Sequence, residues 1–275
     1  MRRSVLVSFL MAVAVLLTGC TLNAGSKFAD EYERYLDGRD DVIAYQVRGH
    51  NDLPGQGSAD TRVDLADGLT DAQIAKAVGE LAGHPSQRSI AHHNLAVYFD
   101  TPNASGRPAR VAVFVRTGDD PLQDTSARAL TERIGQVRAF AATDPGLTEL
   151  SAYISELRAQ TDGDPFVSAD ALTAYLETEP PGVRRLTAAT GRVGSLGAVS
   201  FDAGDSVAAL RPMRELLATL PPGLIPLRWW ANSEMPVDTA EFEVDLPTGT
   251  DPAVLAGLEQ RAAALGVPLR ALIAR

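Results

Sequence analysis

The sequence predicts an α+β protein built from two copies of one β-α-β-β-α-β unit. Two observations predict it. The turn Thr117-Gly118-Asp119-Asp120-Pro121 returns as Thr248-Gly249-Thr250-Asp251-Pro252. The strand pattern before it returns as well, with Val111, Val113 and Val115 aligning with Phe242, Val244 and Leu246. Reading outward from this repeated anchor gives the same order of elements twice.

In the first copy, residues 61–66 alternate as a strand. Thr70 then stands as a helix N-cap with Gln73 three residues on, the spacing of a capping box. Ile74, Val78 and Leu81 recur at helical period and form a buried stripe. Residues 94–100 and 110–116 are two strands joined by a Pro/Asn/Ser/Gly segment, a hairpin signal. A second helix carries Leu130, Ile134, Val137 and Ala141 on one face, and residues 147–154 supply the closing strand.

The second copy opens with a strand over 196–201. Its helix places Leu210, Met213, Leu217 and Leu220 on one side, and Pro212 either kinks it or marks its start. Residues 225–231 and 240–246 form the hairpin. Asp251 caps the next helix, with Pro252 at its first position, where the missing N–H costs nothing. Leu255, Leu258, Ala262 and Leu265 are its stripe, and residues 268–273 close the unit. This order is that of the ferredoxin-like, or split βαβ, arrangement in two layers. Each copy has an extra strand in front, at 42–47 and 184–190. The expected domains are 39–158 and 183–275, with 159–182 as a linker holding a short helix near 168–176. A single mixed domain with similar turns is the alternative.

The N-terminus carries a different kind of signal. Arg2 and Arg3 precede an apolar run from Val5 to Leu17, and Leu17-Thr18-Gly19-Cys20 follows. The run is shorter than the ~20 residues a spanning helix needs. A basic start, a short apolar core and small residues before a cysteine make a cleaved export signal. Position by position these residues resemble the signal peptide and lipobox of bacterial lipoproteins. That resemblance implies cleavage after residue 19 and a diacylglyceryl group on Cys20. It also implies residence on the outer face of the cytoplasmic membrane. Two acyl chains hold stably where one holds only weakly. Residues 20–38 then read as the lipidated cysteine and a tether, with small polar residues from Thr21 to Ser26 giving flexibility.

Cys20 is the only cysteine, so the body has no disulfide and no thiolate metal site. Its stability comes from a core, and a hydrophobic content of 45% supplies one. Loss of Arg2 and Arg3 takes the formal net charge from -10 to -12, which opposes binding to nucleic acid and to anionic lipid by charge alone.

Motifs that carry chemistry are sparse. His50, His84, His92 and His93 all lie in the first copy, without HExxH or HxH spacing. Adjacent His92 and His93 point to opposite faces of a strand, and solvated loop histidines are the expectation. No GxSxG elbow is present. The glycine-rich run 191–197 lacks the P-loop lysine and the GxGxxG spacing. Asp64, Asp67 and Asp71 lack the EF-hand glycine and glutamate positions. No metal or cofactor is expected.

Strand alternation singles out Tyr98 and Trp230. Leu227, Trp229 and Ala231 share one face, and Arg228 and Trp230 the other. A two-layer unit leaves its second sheet face open unless another part of the chain packs there. Tyr98 and Trp230 are therefore the candidate binding face. The expected function is noncatalytic: binding a small ligand or an envelope protein, or supporting an envelope assembly. The alternative is an envelope hydrolase using carboxylates or His92 and His93.

Overall fold

A computed structural model gives the structure of the chain. It describes residues 23–53, 56–117, 125–153, 156–176, 185–190, 196–202, 210–232 and 242–275. Among these residues it has six α-helices and an eleven-stranded mixed sheet whose strands neighbour one another in chain order. The α+β class therefore holds.

The elements in order are α1 (Ala24–Asp37), β1 (Val42–Leu53), β2 (Gln56–Leu65), α2 (Asp71–Ala82), a 3-10 turn (Pro85–Ser89), β3 (His92–Pro102) and β4 (Pro108–Thr117). There follow α3 (Ala127–Ala141), β5 (Leu147–Ala152), β6 (Glu156–Thr161), α4 (Pro165–Leu176), β7 (Arg185–Thr190) and β8 (Leu196–Asp202). The chain closes with α5 (Arg211–Ala218), β9 (Arg228–Asn232), β10 (Phe242–Leu246), α6 (Pro252–Leu265) and β11 (Leu269–Ile273).

Helix starts follow the sequence signals. Thr70 and Gln73 form a reciprocal capping box at α2. Asp251 accepts a hydrogen bond from the Ala253 N–H at 2.8 Å, ahead of Pro252. Asp164 does the same for Phe166 at 2.9 Å, ahead of Pro165. Pro212 lies in the first turn of α5 and marks its start rather than a kink.

The ferredoxin-like topology does not hold. In a split βαβ, another strand separates the two that a helix joins. Here β2 pairs directly and in parallel with β3, Val63 opposite Val97, and β8 with β9, Val199 opposite Ala231. Both outer strands of the first expected copy already have partners. β2 is joined to β1 as an antiparallel hairpin and β5 to β6. With those edges occupied, no strand needs to fold back between neighbours. Within each expected copy the order of elements along the chain is as read from the sequence, but the lateral order is not.

The described part of the expected linker, residues 159–176, is strand and helix. Strand β6 runs to Thr161, α4 follows from Pro165, and β6 pairs in parallel with β7. The segment is one more strand-helix-strand crossover. Contacts also divide the chain differently from the expected 39–158 and 183–275. One compact unit comprises residues up to Phe99 with Ala112–Gly135; the other is Asp100–Val111 with Gln136–Arg275.

In the second unit, one sheet face is buried from β5 to β10. Leu150, Ala159, Ala188, Val199, Ala231 and Phe242 occupy inward positions linked by register. Helices α5 and α6 contact one another.

Residues 20–38 are not a flexible tether throughout. From Ala24 they form α1, whose Phe28, Tyr32 and Leu36 recur every four residues and are buried. The first turn of α1 lies against the hairpin backbone. A Cβ on Gly49 would overlap the Gly25 carbonyl, and one on Gly57 would overlap the Gly25 nitrogen. Gly49→Ala is expected to cost roughly 1–3 kcal/mol by forcing helix and strand apart. Urea unfolding checks this; an unchanged midpoint would show the approach to be loose.

Candidate functional site

Helix α1 brings an aromatic stripe onto the inner face of β2 and β3 in the first unit. Phe28 and Tyr32 stack at 5.0 Å, and both meet the His93 ring edge-on, at 4.9 and 5.2 Å. His93 is 0% exposed. Gln87 donates through Nε2 to His93 Nδ1 at 2.6 Å, so the ring proton sits on Nε2 and faces Thr61 Oγ1 at 2.8 Å. Thr117 in turn donates to Gln87 Oε1 at 3.0 Å. Burial pushes the His93 pKa down to about 4, against a weaker pull upward from Asp60. The Tyr32 hydroxyl donates to the Leu81 carbonyl at 2.8 Å, and burial pushes its pKa up.

His93 is thus a neutral core residue rather than a solvated loop histidine. His92 lies on the opposite face, half-buried, as alternation requires. The pair does not converge, and His93 has both nitrogens engaged inside the core. Sequence reasoning missed this because the apolar partners come from α1, read as tether.

Beside this cluster lies a cleft of about 630 Å³. Its floor is Ala75, Gly79 and Gly83 at the spacing of one helical face, and Tyr35 and His84 line one wall. Those two rings stack at 4.2 Å, and the Arg39 guanidinium lies 5.4 Å from the centre of Tyr35. Burial lowers the His84 pKa. The polar groups here are committed to one another. Glu80 accepts from Lys76 and, at 3.0 Å, from Arg39. Arg39 also pairs with Asp41, which holds that carboxyl below its usual range.

The outer face of the first unit is polar. His50 and Asn94 both reach Asp60, at 3.0 and 2.8 Å. Burial raises the Asp60 pKa, but these two hydrogen bonds outweigh it and the net direction is down. Arg48, Arg62, Ala96 and Phe114 border a hollow of about 230 Å³ beside them. Tyr98 stands on this face of β3, opposite Asp64 in register and half-buried.

In the second unit, Trp229 and Trp230 divide as alternation predicts. Trp229 is 7% exposed and stacks on Phe166 of α4 at 5.4 Å. A Cβ at Gly197, its register partner on β8, would overlap the indole, so glycine makes the space for it. Trp230 is 47% exposed. Its neighbours across the sheet are Ala198 and Glu243, leaving the ring proud of the surface. Arg228 pairs with Asp245 at 3.0 Å and Arg270 with Glu243 at 3.2 Å, neutralising the surroundings. Ile225, Leu227 and Leu272 are also exposed in this closing segment.

Tyr98 and Trp230 both stand on outward strand positions, but in different units. Cys20, the lipobox and the turn at Gly118–Pro121 lie outside the described residues. No group of three or more His, Cys, Asp or Glu placed to hold a metal occurs among the described residues, Asp64, Asp67 and Asp71 included. No helix among them is long and apolar enough to cross a membrane. No protein-family model, curated protein or solved structure matches the chain.

Proposed function

We propose that this chain is a lipoprotein, anchored through Cys20 to the outer face of the cytoplasmic membrane, that works by binding an envelope partner rather than by chemistry. The observation that carries the binding reading is the outer face around Trp230. A half-exposed indole stands among small and mutually paired side chains, with further apolar groups nearby. Aromatic rings so placed offer contact area at little entropic cost and are enriched at interfaces. The hydrolase alternative through His92 and His93 draws no support, because the two rings face opposite sides of β3.

Cys20→Ser is expected to move the protein from the membrane fraction to the soluble or uncleaved pool. Unchanged fractionation and mass would refute the anchor. A photo-crosslinking residue at position 230 is expected to give a discrete adduct in intact envelopes, with none from exposed Glu259 on α6. Equal labelling from both positions, or hydrolysis by the purified protein that His92→Ala abolishes, would overturn the binding reading.

A further inference from the structure

We infer that the docked start of α1 holds the near end of the β1–β2 hairpin against the lipid surface. This rests on the proposal that Cys20 is lipidated. Only Thr21, Leu22 and Asn23 separate Cys20 from Ala24. Fully extended, those steps reach about 14 Å. Beyond Ala24 the chain has no slack. The Asn51 Oδ1 accepts from the Gly25 and Ser26 N–H groups at 2.9 and 3.4 Å, and its Nδ2 donates to Ser26 Oγ at 2.9 Å. Asn51 thereby satisfies two of the donors that a helix start leaves open. The Gly25 backbone lies flush against Gly49 and Gly57, so the helix cannot slide or lift without breaking these contacts.

The anchor therefore does not let the body float. It places Lys27, His50 and Asn51 beside the headgroups. The charge pattern agrees. The opposite end of the same elements gathers Asp37, Asp40, Asp41, Asp64 and Asp67, whereas at the near end Glu31 and Asp60 are paired with Lys27 and His50, and Asp52 adds one more carboxylate. An anionic leaflet repels carboxylates within roughly a Debye length. This pose turns the aspartate-rich end away from it. From Ser58 to Leu65 the strand covers about 23 Å, enough to separate the two ends in a depth measurement.

The test uses full-length protein purified with its lipid and reconstituted into phosphatidylcholine–phosphatidylglycerol vesicles carrying headgroup nitroxides. With Cys20 acylated, a single introduced cysteine takes the fluorophore. Lys27→Cys marks the near end and Asp67→Cys the far end; both side chains are exposed. Quenching at position 27 is expected to exceed that at 67 by roughly threefold or more, given the ~23 Å between the ends. Ten Gly/Ser residues inserted after Thr21 should remove most of the difference. Equal quenching at both sites, or quenching at 27 that ignores the spacer, overturns the inference. Intact mass separates the two failures: protein without acyl mass overturns the anchor and this pose together, while acylated protein with equal quenching overturns the pose alone.

Discussion

Acidification between about pH 6.5 and pH 4 is expected to remove roughly 3 kcal/mol of folding stability through His93 alone. The sign follows from the depressed pKa. Below pH 6.5 the unfolded chain binds a proton at this imidazole, and the folded chain does not until about pH 4. Stability from this site is therefore complete above pH 6.5 and falls with pH until the folded ring also titrates. The cause is the cage of Phe28, Tyr32, Thr61 and Gln87, which serves the neutral ring and excludes water. His84, also lowered by burial, acts in the same direction. The lowered carboxyls of Asp41, Asp60 and Glu80 lose their contribution only at more acid pH, below their unfolded values. Urea unfolding of wild type and His93→Gln at pH 7 and pH 4.5 isolates the effect. The wild type should lose about 2–3 kcal/mol more than the variant over this interval. Parallel losses in the two proteins would show that the ring is hydrated.

Trp229→Ala is expected to cost roughly 3–5 kcal/mol, and Trp230→Ala within about 0.5 kcal/mol of nothing. The first removes an indole that is 7% exposed, packed on Phe166 and seated over Gly197, and leaves a cavity. The second removes a ring 47% exposed among small neighbours. Denaturant midpoints of the two variants check the contrast. Similar losses would mean that the outer face of β9 is packed in solution, which would also remove the basis for a binding face there.

The alternation that separates Trp229 from Trp230 was legible because strand period is strict: a residue and its neighbour cannot share a face. The helix stripes of α2 and α3 were legible for the same kind of reason. Lateral strand order was not, because alternation says which face a residue takes and nothing about which strand lies beside it. The crossover through α4 had a signal that went unused. Thr161-Asp162-Gly163-Asp164-Pro165 has the same Thr-x-x-Asp-Pro spacing as the repeated turn, with the Asp cap and first-turn Pro of a helix start. Strand β6 hid it, since Glu156-Leu157-Arg158-Ala159-Gln160-Thr161 places only small or single apolar groups inward. Helix α1 was masked by its small first residues. Gly25 and Ser26 suit a tether, and only the facing glycines at 49 and 57 give them another use. The core role of His93 depended on that helix and was lost with it.

Because strands neighbour one another in chain order, their pairings close short loops. The β1–β2 and β7–β8 hairpins join segments that follow one another directly, and each parallel pairing spans one helix. Loop-closure entropy grows with separation, so such a chain meets a small entropic barrier at each step. A chain emerging from its N-terminus presents every new strand to a partner already exposed. Folding of this kind advances like a zip, with the latest strand always the vulnerable edge. Among the described strands that edge is β11, whose Leu269, Ala271 and Ile273 are only partly covered.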